Sequence, residues 1–360
     1  MNSRNQLFSL LSLFLILCLS GQRVMQAEAR HHHHHHHHHL TKLFVFGDSY
    51  ADTGNVQKSV STSWKDPYGI TFPGKPAGRF SDGRVLTDFI AKHLKVKSPI
   101  PYRLRKVIPN HLKYGMNFAF GGSGVFKTSF PLPNMTTQID FFQQLIEKRV
   151  YSALDLTKSV ALVSVAGNDY SYYLATNGSA EGLPAYVGAV VSQTVKNLIR
   201  IKGLGVKKIV VGGLQPLGCL PSITVATSYE RCNETTNALV LLHNSLLSEA
   251  VSKLNKRSME PSTFLVLNLY ESFLSVLKQK QKDPSTHHIG NKLKPCCVGV
   301  SSGYTCGDVD KNKVKMYRVC DDPKSAFFWD LVHPTQAGWH AVYNKLRTMN
   351  TLQHIHFDHA

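Results

Sequence analysis

The chain has 360 residues, with 42% hydrophobic and 18% charged content, an ordinary globular composition that excludes collagenous, coiled-coil and wholly disordered chains. Its Lys+Arg count of 41 against 23 Asp+Glu gives +18, a balance that favours anionic surroundings such as wall polyuronates, anionic lipid or nucleic acid without choosing among them. Length alone allows one large α/β domain or two to three smaller ones.

In chain order, Arg4 precedes a short apolar run from Leu7 to Leu19. The run falls short of the roughly 20 residues a membrane-spanning helix needs. The small-residue site Ala27-Glu28-Ala29 follows, so residues 1–29 read as a secretory signal peptide. The unbroken run His31 to His39 is an expression tag or a natural low-complexity linker, and residues 30–40 take no part in the fold. Five apolar runs then read as buried parallel strands: Lys42–Gly47, Met116–Phe120, Val160–Ala166, Lys208–Val211 and Thr263–Leu267. Helical periodicity sits between and after them, at Arg84–His93, Thr137–Lys148, Tyr186–Lys202, Asn233–Leu254 and Thr335–Arg347. Strands alternating with helices predict a single doubly wound α/β domain over 41–350, with 351–360 as a tail.

Cys18 lies in the leader, and the mature chain keeps Cys219, Cys232, Cys296, Cys297, Cys306 and Cys320. An even count in a secreted chain predicts disulfides rather than a zinc site. Cys219 and Cys232 stand apart and pair with each other. A bond between adjacent Cys296 and Cys297 would be strained, so two connectivities remain for the other four. Asn134, Asn177 and Asn233 each open an N-x-S/T sequon.

Three strand ends carry the chemistry. Lys42–Gly47 runs into Asp48-Ser49-Tyr50-Ala51-Asp52, which places Ser49 where ligands of open α/β sheets gather. A serine hydroxyl needs a base. Asp330-Leu331-Val332-His333-Pro334 offers one, because an Asp three residues before a His can face it and fix its tautomer. Asn117-Phe118-Ala119-Phe120 opens into Gly121 and Gly122, whose backbone N–H groups can approach a ligand. Asn168, after Val160–Ala166, can aim an amide at an oxyanion. Ser301, in Gly299-Val300-Ser301-Ser302-Gly303, fits the nucleophile-elbow pattern, but it lies between cysteines rather than between a strand and a helix. It reads as a loop serine.

Together the segments FVFGDSYADTGN, GRFSDGR, NFAFGGSG, VSVAGNDY, QPLGCLP, RCNETTN, KPCCVG and FWDLVHPT resemble the plant GDSL esterase/lipase family of SGNH hydrolases, over nearly all the mature chain. The resemblance implies a three-layer α/β/α domain with a five-stranded parallel sheet in flavodoxin-like order. It implies Ser49 as nucleophile, His333 as base and Asp330 as its orienter. Asn168 and Gly122, the preferred one of the 121–122 pair, would complete the oxyanion hole with the Ser49 N–H. Asp52 would organise the nucleophile turn. Tyr50-Ala51, Asp82 and Phe120 depart from the common pattern and are expected to alter substrate shape.

The expected activity is hydrolysis of a carboxylic ester, of a lipid or an acylated small molecule or wall sugar, through an acyl-enzyme and with no cofactor or metal. Acyl transfer to an alcohol and a non-catalytic wall or lipid-binding glycoprotein are the alternatives. The leader and the lack of any nucleic-acid motif oppose nucleic-acid binding. The expected location is extracellular, in the cell wall or apoplast, with peripheral contact to an anionic wall or membrane surface.

Overall fold

The computed structural model describes residues 41–258, 262–279 and 291–355. The leader, the histidine run and the last residues of the tail lie outside the described residues. The main elements in chain order are β1 (Lys42–Gly47), α1 (Leu86–His93), β2 (Ile100–Pro101), β3 (Gly115–Asn117), α2 (Met135–Glu147), α3 (Ala153–Thr157), β4 (Ser159–Ser164) and α4 (Gly167–Ala175). There follow α5 (Leu183–Gly203), β5 (Lys208–Gly212), α6 (Pro221–Thr224), α7 (Glu234–Arg257), β6 (Phe264–Leu267), α8 (Leu269–Lys278), β7 (Cys297–Gly299), β8 (Tyr317–Val319) and α9 (Gln336–Thr348).

The main sheet is parallel and runs β2-β3-β1-β4-β5-β6. The five predicted strands are all present in flavodoxin-like order. The expectation of five is corrected to six by β2, a two-residue edge strand ending in Pro101. Two residues carry no readable period, and a proline is tolerated only where its missing N–H faces an edge. β4 is buried throughout and β1 nearly so, as expected for strands covered on both faces. The covering helices pack in two groups, α2 with α5 and α7, and α1 with α9 and α8. Under β1, Phe44 and Phe46 meet Phe142 of α2, and Phe46 stacks on Phe118 with centroids 5.2 Å apart.

Helix starts follow the sequence signals. Asn134, Asn233, Asn268 and Thr335 each accept a first-turn N–H through the side chain. Of the helices that sequence periodicity missed, α3 and α6 are five and four residues long, and α4 and α8 begin within three residues of the ends of β4 and β6. The predicted strand ending at Ala166 stops at Ser164 because Ala166 turns into the left-handed region, φ 111°. Among the described residues no helix is long and apolar enough to cross a membrane.

Candidate active site

In an open sheet of this order the chain crosses to opposite faces on either side of β1, which leaves a crevice at the carboxyl ends of β1 and β4. Ser49 sits there, two residues beyond the end of β1. Gly47 closes the strand with φ 143°, and a Cβ on it would lie 1.9 Å from the Ser164 carbonyl oxygen of β4. Only glycine allows the two strand ends to meet so closely. Gln138 of α2 clamps the same residue from below, accepting the Gly47 N–H at 2.8 Å and donating to its carbonyl at 2.9 Å. Buried Asp52 accepts N–H bonds from Gly54 and Asn55 at 2.7 Å each, and from Gly121 at 2.9 Å. The Ser49 turn is thereby tied to the glycine loop after β3.

His333 arrives from the other end of the chain. Its Nε2 lies 2.8 Å from Ser49 Oγ, and its Nδ1 lies 2.9 Å from both oxygens of Asp330. Asp330 Oδ1 also accepts the N–H groups of Val332 and His333 at 2.8 Å each. The segment is neither strand nor helix, and its support is lateral. Tyr68 donates to Asp330 Oδ2 at 2.8 Å, and Tyr50 donates to the Val332 carbonyl at 2.8 Å. The β7–β8 hairpin docks its backbone on the preceding residues, with Cys296 N–H donating to Phe328 and Cys297 N–H to Trp329. Disulfides 296–320 and 297–306 staple that hairpin, and 219–232 forms as expected. The connectivity left open by the sequence is therefore decided.

The candidate oxyanion donors are gathered by a third set of contacts. Gly121 N–H is committed to Asp52, whereas the N–H groups of Gly122 and Ser49 have no partner among the described residues. Asn168 donates one amide hydrogen to the Ser123 carbonyl at 2.8 Å, which fixes the side chain against the glycine loop. Asp169 accepts the N–H groups of Val125 and Phe126 at 2.9 Å each, pinning the far side of that loop. Ser49 and Asn168 line one small cavity of about 50 Å³. Gly121 and Gly122 border a much larger groove of about 1330 Å³.

The sequence has known relatives. The family profile for GDSL-like lipase/acylhydrolase matches residues 43–346. The chain belongs to that family. Two Arabidopsis thaliana proteins, each named as a GDSL esterase/lipase, are 61% and 57% identical to it over 309 and 308 residues. The alignments cover 85% of this chain in both cases, and 86% and 87% of those relatives. This plant GDSL esterase/lipase family member is thus a carboxylic ester hydrolase. Among solved structures, an acetylxylan esterase from Geobacillus stearothermophilus is similar over 88% of this chain and 95% of that one, at 14% identity and TM-score 0.40. That likeness is too remote to bear on substrate.

The family member's site holds several buried carboxyls in opposite electrostatic situations. Burial acts to raise the Asp330 carboxyl, but the charge of His333 and the hydrogen bonds from His333 and Val332 outweigh it and hold Asp330 below the ordinary carboxylate range. Burial, helped by the charge of Asp169, pushes Asp48 up to about 7 against the Tyr50 N–H, the charge of His333 and its own backbone N–H. Burial likewise pushes Asp52 and Asp169 up to about 6 against their backbone hydrogen bonds.

The residues that depart from the common pattern do different work. Asp82 borders neither space beside Ser49, whereas Tyr50 lines the small cavity and also has a bracing role. Tyr50 is buried edge-on to Trp339 and braces the His333 segment. Asp82 accepts the Gln336 N–H at 2.7 Å at the start of α9. Phe120 alone lines the large groove. Sequence reading missed Tyr68 and Gln138, since each reports itself only through contacts with residues far along the chain. Asn177 and Asn233 are exposed, whereas Asn134 is half-buried as the cap of α2. Ser301 is exposed in the β7–β8 turn, away from His333.

Proposed function

We propose that the protein is a secreted serine esterase working through a Ser49–His333–Asp330 triad and an acyl-enzyme. The observation that carries this reading is the continuous hydrogen-bonded chain from Ser49 Oγ through the His333 ring to Asp330. His333 Nε2 takes the Ser49 proton as Oγ attacks the ester carbonyl. The oxyanion is met by the N–H groups of Ser49 and Gly122 and by the second amide hydrogen of Asn168. His333 then gives its proton to the leaving alkoxide. Water, deprotonated by the same nitrogen, releases the acid and restores Ser49. Asp330 keeps Nδ1 protonated and stabilises the imidazolium, and its lowered pKa keeps it charged through the cycle. The leader and three disulfides support secretion.

Labelling with a fluorophosphonate followed by peptide mapping tests the reading. The expected adduct is on Ser49 and is lost in His333→Ala. An adduct on Ser301, or none on an active preparation, overturns it.

A further inference from the structure

The two spaces beside Ser49 differ in size and in chemistry. The small one, about 50 Å³, is walled by Ser49, Asn168, Gly213, Gln215, Leu217 and Val332. About 10–15 Å³ of such volume admits a water, so it has room for only a few heavy atoms. The large groove, about 1330 Å³, begins at Gly121 and Gly122 and runs past Phe80, Phe120, Tyr102 and Phe141. No acidic residue lines it, but Lys58, Arg103 and Arg105 do. Among the described residues none of these three cations has a carboxylate partner. They are held instead by rings and, for Arg103 and Arg105, by donating to the Val56 and Tyr102 carbonyls. Lys58 and Arg103 each lie 5.1 Å from the Trp64 ring, and Arg105 lies 3.8 Å from Tyr102, which itself stacks on Phe141 at 4.7 Å. Trp64 is fixed in turn by donating to the Val56 carbonyl at 2.7 Å. An aromatic trough lined by three positioned cations without carboxylate partners matches an apolar body that carries a negative charge.

We infer that this esterase prefers esters of a short acyl group with a large, apolar, anionic alcohol, the alcohol lying in the groove and Lys58, Arg103 and Arg105 selecting its charge. The orientation follows from His333, which must protonate the leaving alkoxide. Phe80 is the groove wall that packs on His333, with ring centroids 5.1 Å apart. The leaving group therefore departs along Phe80 into the groove, and the acyl group is left in the small cavity. The inference rests on Ser49 and His333 acting as proposed above. It adds a specificity that the triad alone does not contain.

The test compares 2-naphthyl acetate with 6-acetoxy-2-naphthoate, which differ by one carboxylate. The expected kcat/KM ratio, anionic over neutral, is on the order of tenfold, the usual worth of one good charge-assisted contact. In Arg103→Gln/Arg105→Gln, checked for folding by its melting curve, that ratio falls towards one. Should the variant not fold, the parent provides the same readout. Its ratio must then shrink between low and high salt as exposed charges are screened. In the acyl series, 2-naphthyl octanoate should turn over more slowly than the acetate. An equal ratio for parent and variant that is insensitive to salt, or a preference for octanoate, overturns the inference while leaving the esterase reading intact. If parent and Ser49→Ala hydrolyse both naphthyl esters equally, the esterase reading itself fails.

Discussion

The two halves of the Ser49–His333 pair are held by different physics. Ser49 belongs to the sheet. Its turn leaves β1 at a glycine that no other residue can replace, and the surrounding bonds come from strand ends, Gln138 and Asp52. His333 belongs to an irregular segment held by two tyrosine hydroxyls and a hairpin stapled by two disulfides. The first half inherits its rigidity from parallel-strand register. Among the described residues the second has only the Phe328–Pro334 bridge and the Trp329 N–H bond to the His333 carbonyl as backbone pairing of its own, so it leans on side chains and covalent bonds.

The largest expected effect is at the hydroxyl itself. Ser49→Ala should lower kcat by about 10⁴–10⁶-fold, in the range seen when a triad member is removed. The melting temperature should stay unchanged, since the turn is held by backbone and not by Oγ. Activity retained in Ser49→Ala and lost in Ser301→Ala would reverse the assignment. On the other half, Asp330→Asn should lower kcat by about 10⁴-fold, through the wrong imidazole tautomer and the missing charge. The check is a kcat/KM profile against pH, where the variant should remain depressed throughout. In the parent, Asp330 is held below its ordinary value, so its charge and the stability it contributes are present above about pH 4 and fade only as pH falls below the unfolded-state value of about 3.9.

Asn168→Ala should lower kcat by roughly 10²–10³-fold with little change in KM. A variant that loses only KM would mark Asn168 as a substrate-binding residue. The double change Cys297→Ser/Cys306→Ser sharpens the contrast between the halves more directly. It should cost about 2–4 kcal/mol of stability, read by urea unfolding. Hydrogen exchange should speed up in 317–333 while the amides of β1 remain protected. Equal deprotection of β1 would show that the two halves stand or fall together.

The remaining effect is electrostatic and lies beside Ser49. Asp48 is raised to about 7 by burial, so the folded state keeps its proton while the unfolded chain has lost its own above about pH 4. Between those values stability falls as pH rises, by at most ~1.4 kcal/mol per pH unit. Asp48→Asn retains an oxygen for the Tyr50 N–H and removes this slope. It should melt higher than the parent at pH 8 and converge with it below pH 4. A parent and variant with parallel melting curves across that range would mean that Asp48 is not desolvated.

Much of this molecule was legible along the chain because its signals are local. A buried parallel strand is a run of β-branched and aliphatic residues wherever it occurs, and β1, β4, β5 and β6 were readable for that reason. The helix starts at Asn233 and Thr335 were readable because helical periodicity begins there, and the structure shows both residues as caps. Ser49, Asp330 and His333 were legible as residue types in short patterns. Their meeting was not, since 284 positions separate Ser49 from His333 and only the tertiary packing brings them within 2.8 Å. The pairing of Cys296 with Cys320 and of Cys297 with Cys306 was undecided for the same reason, because adjacent cysteines have the same sequence distances to within one residue. Tertiary structure also separated Gly121 from Gly122, by giving the first an aspartate partner and leaving the second free. It made braces for the histidine segment of Tyr50, which the sequence marked only as a departure from the family pattern, and of Tyr68, which the sequence did not mark at all. A hydroxyl acquires such a role only from what lies opposite it, and no periodicity or composition encodes an opposite residue drawn from the far end of the chain.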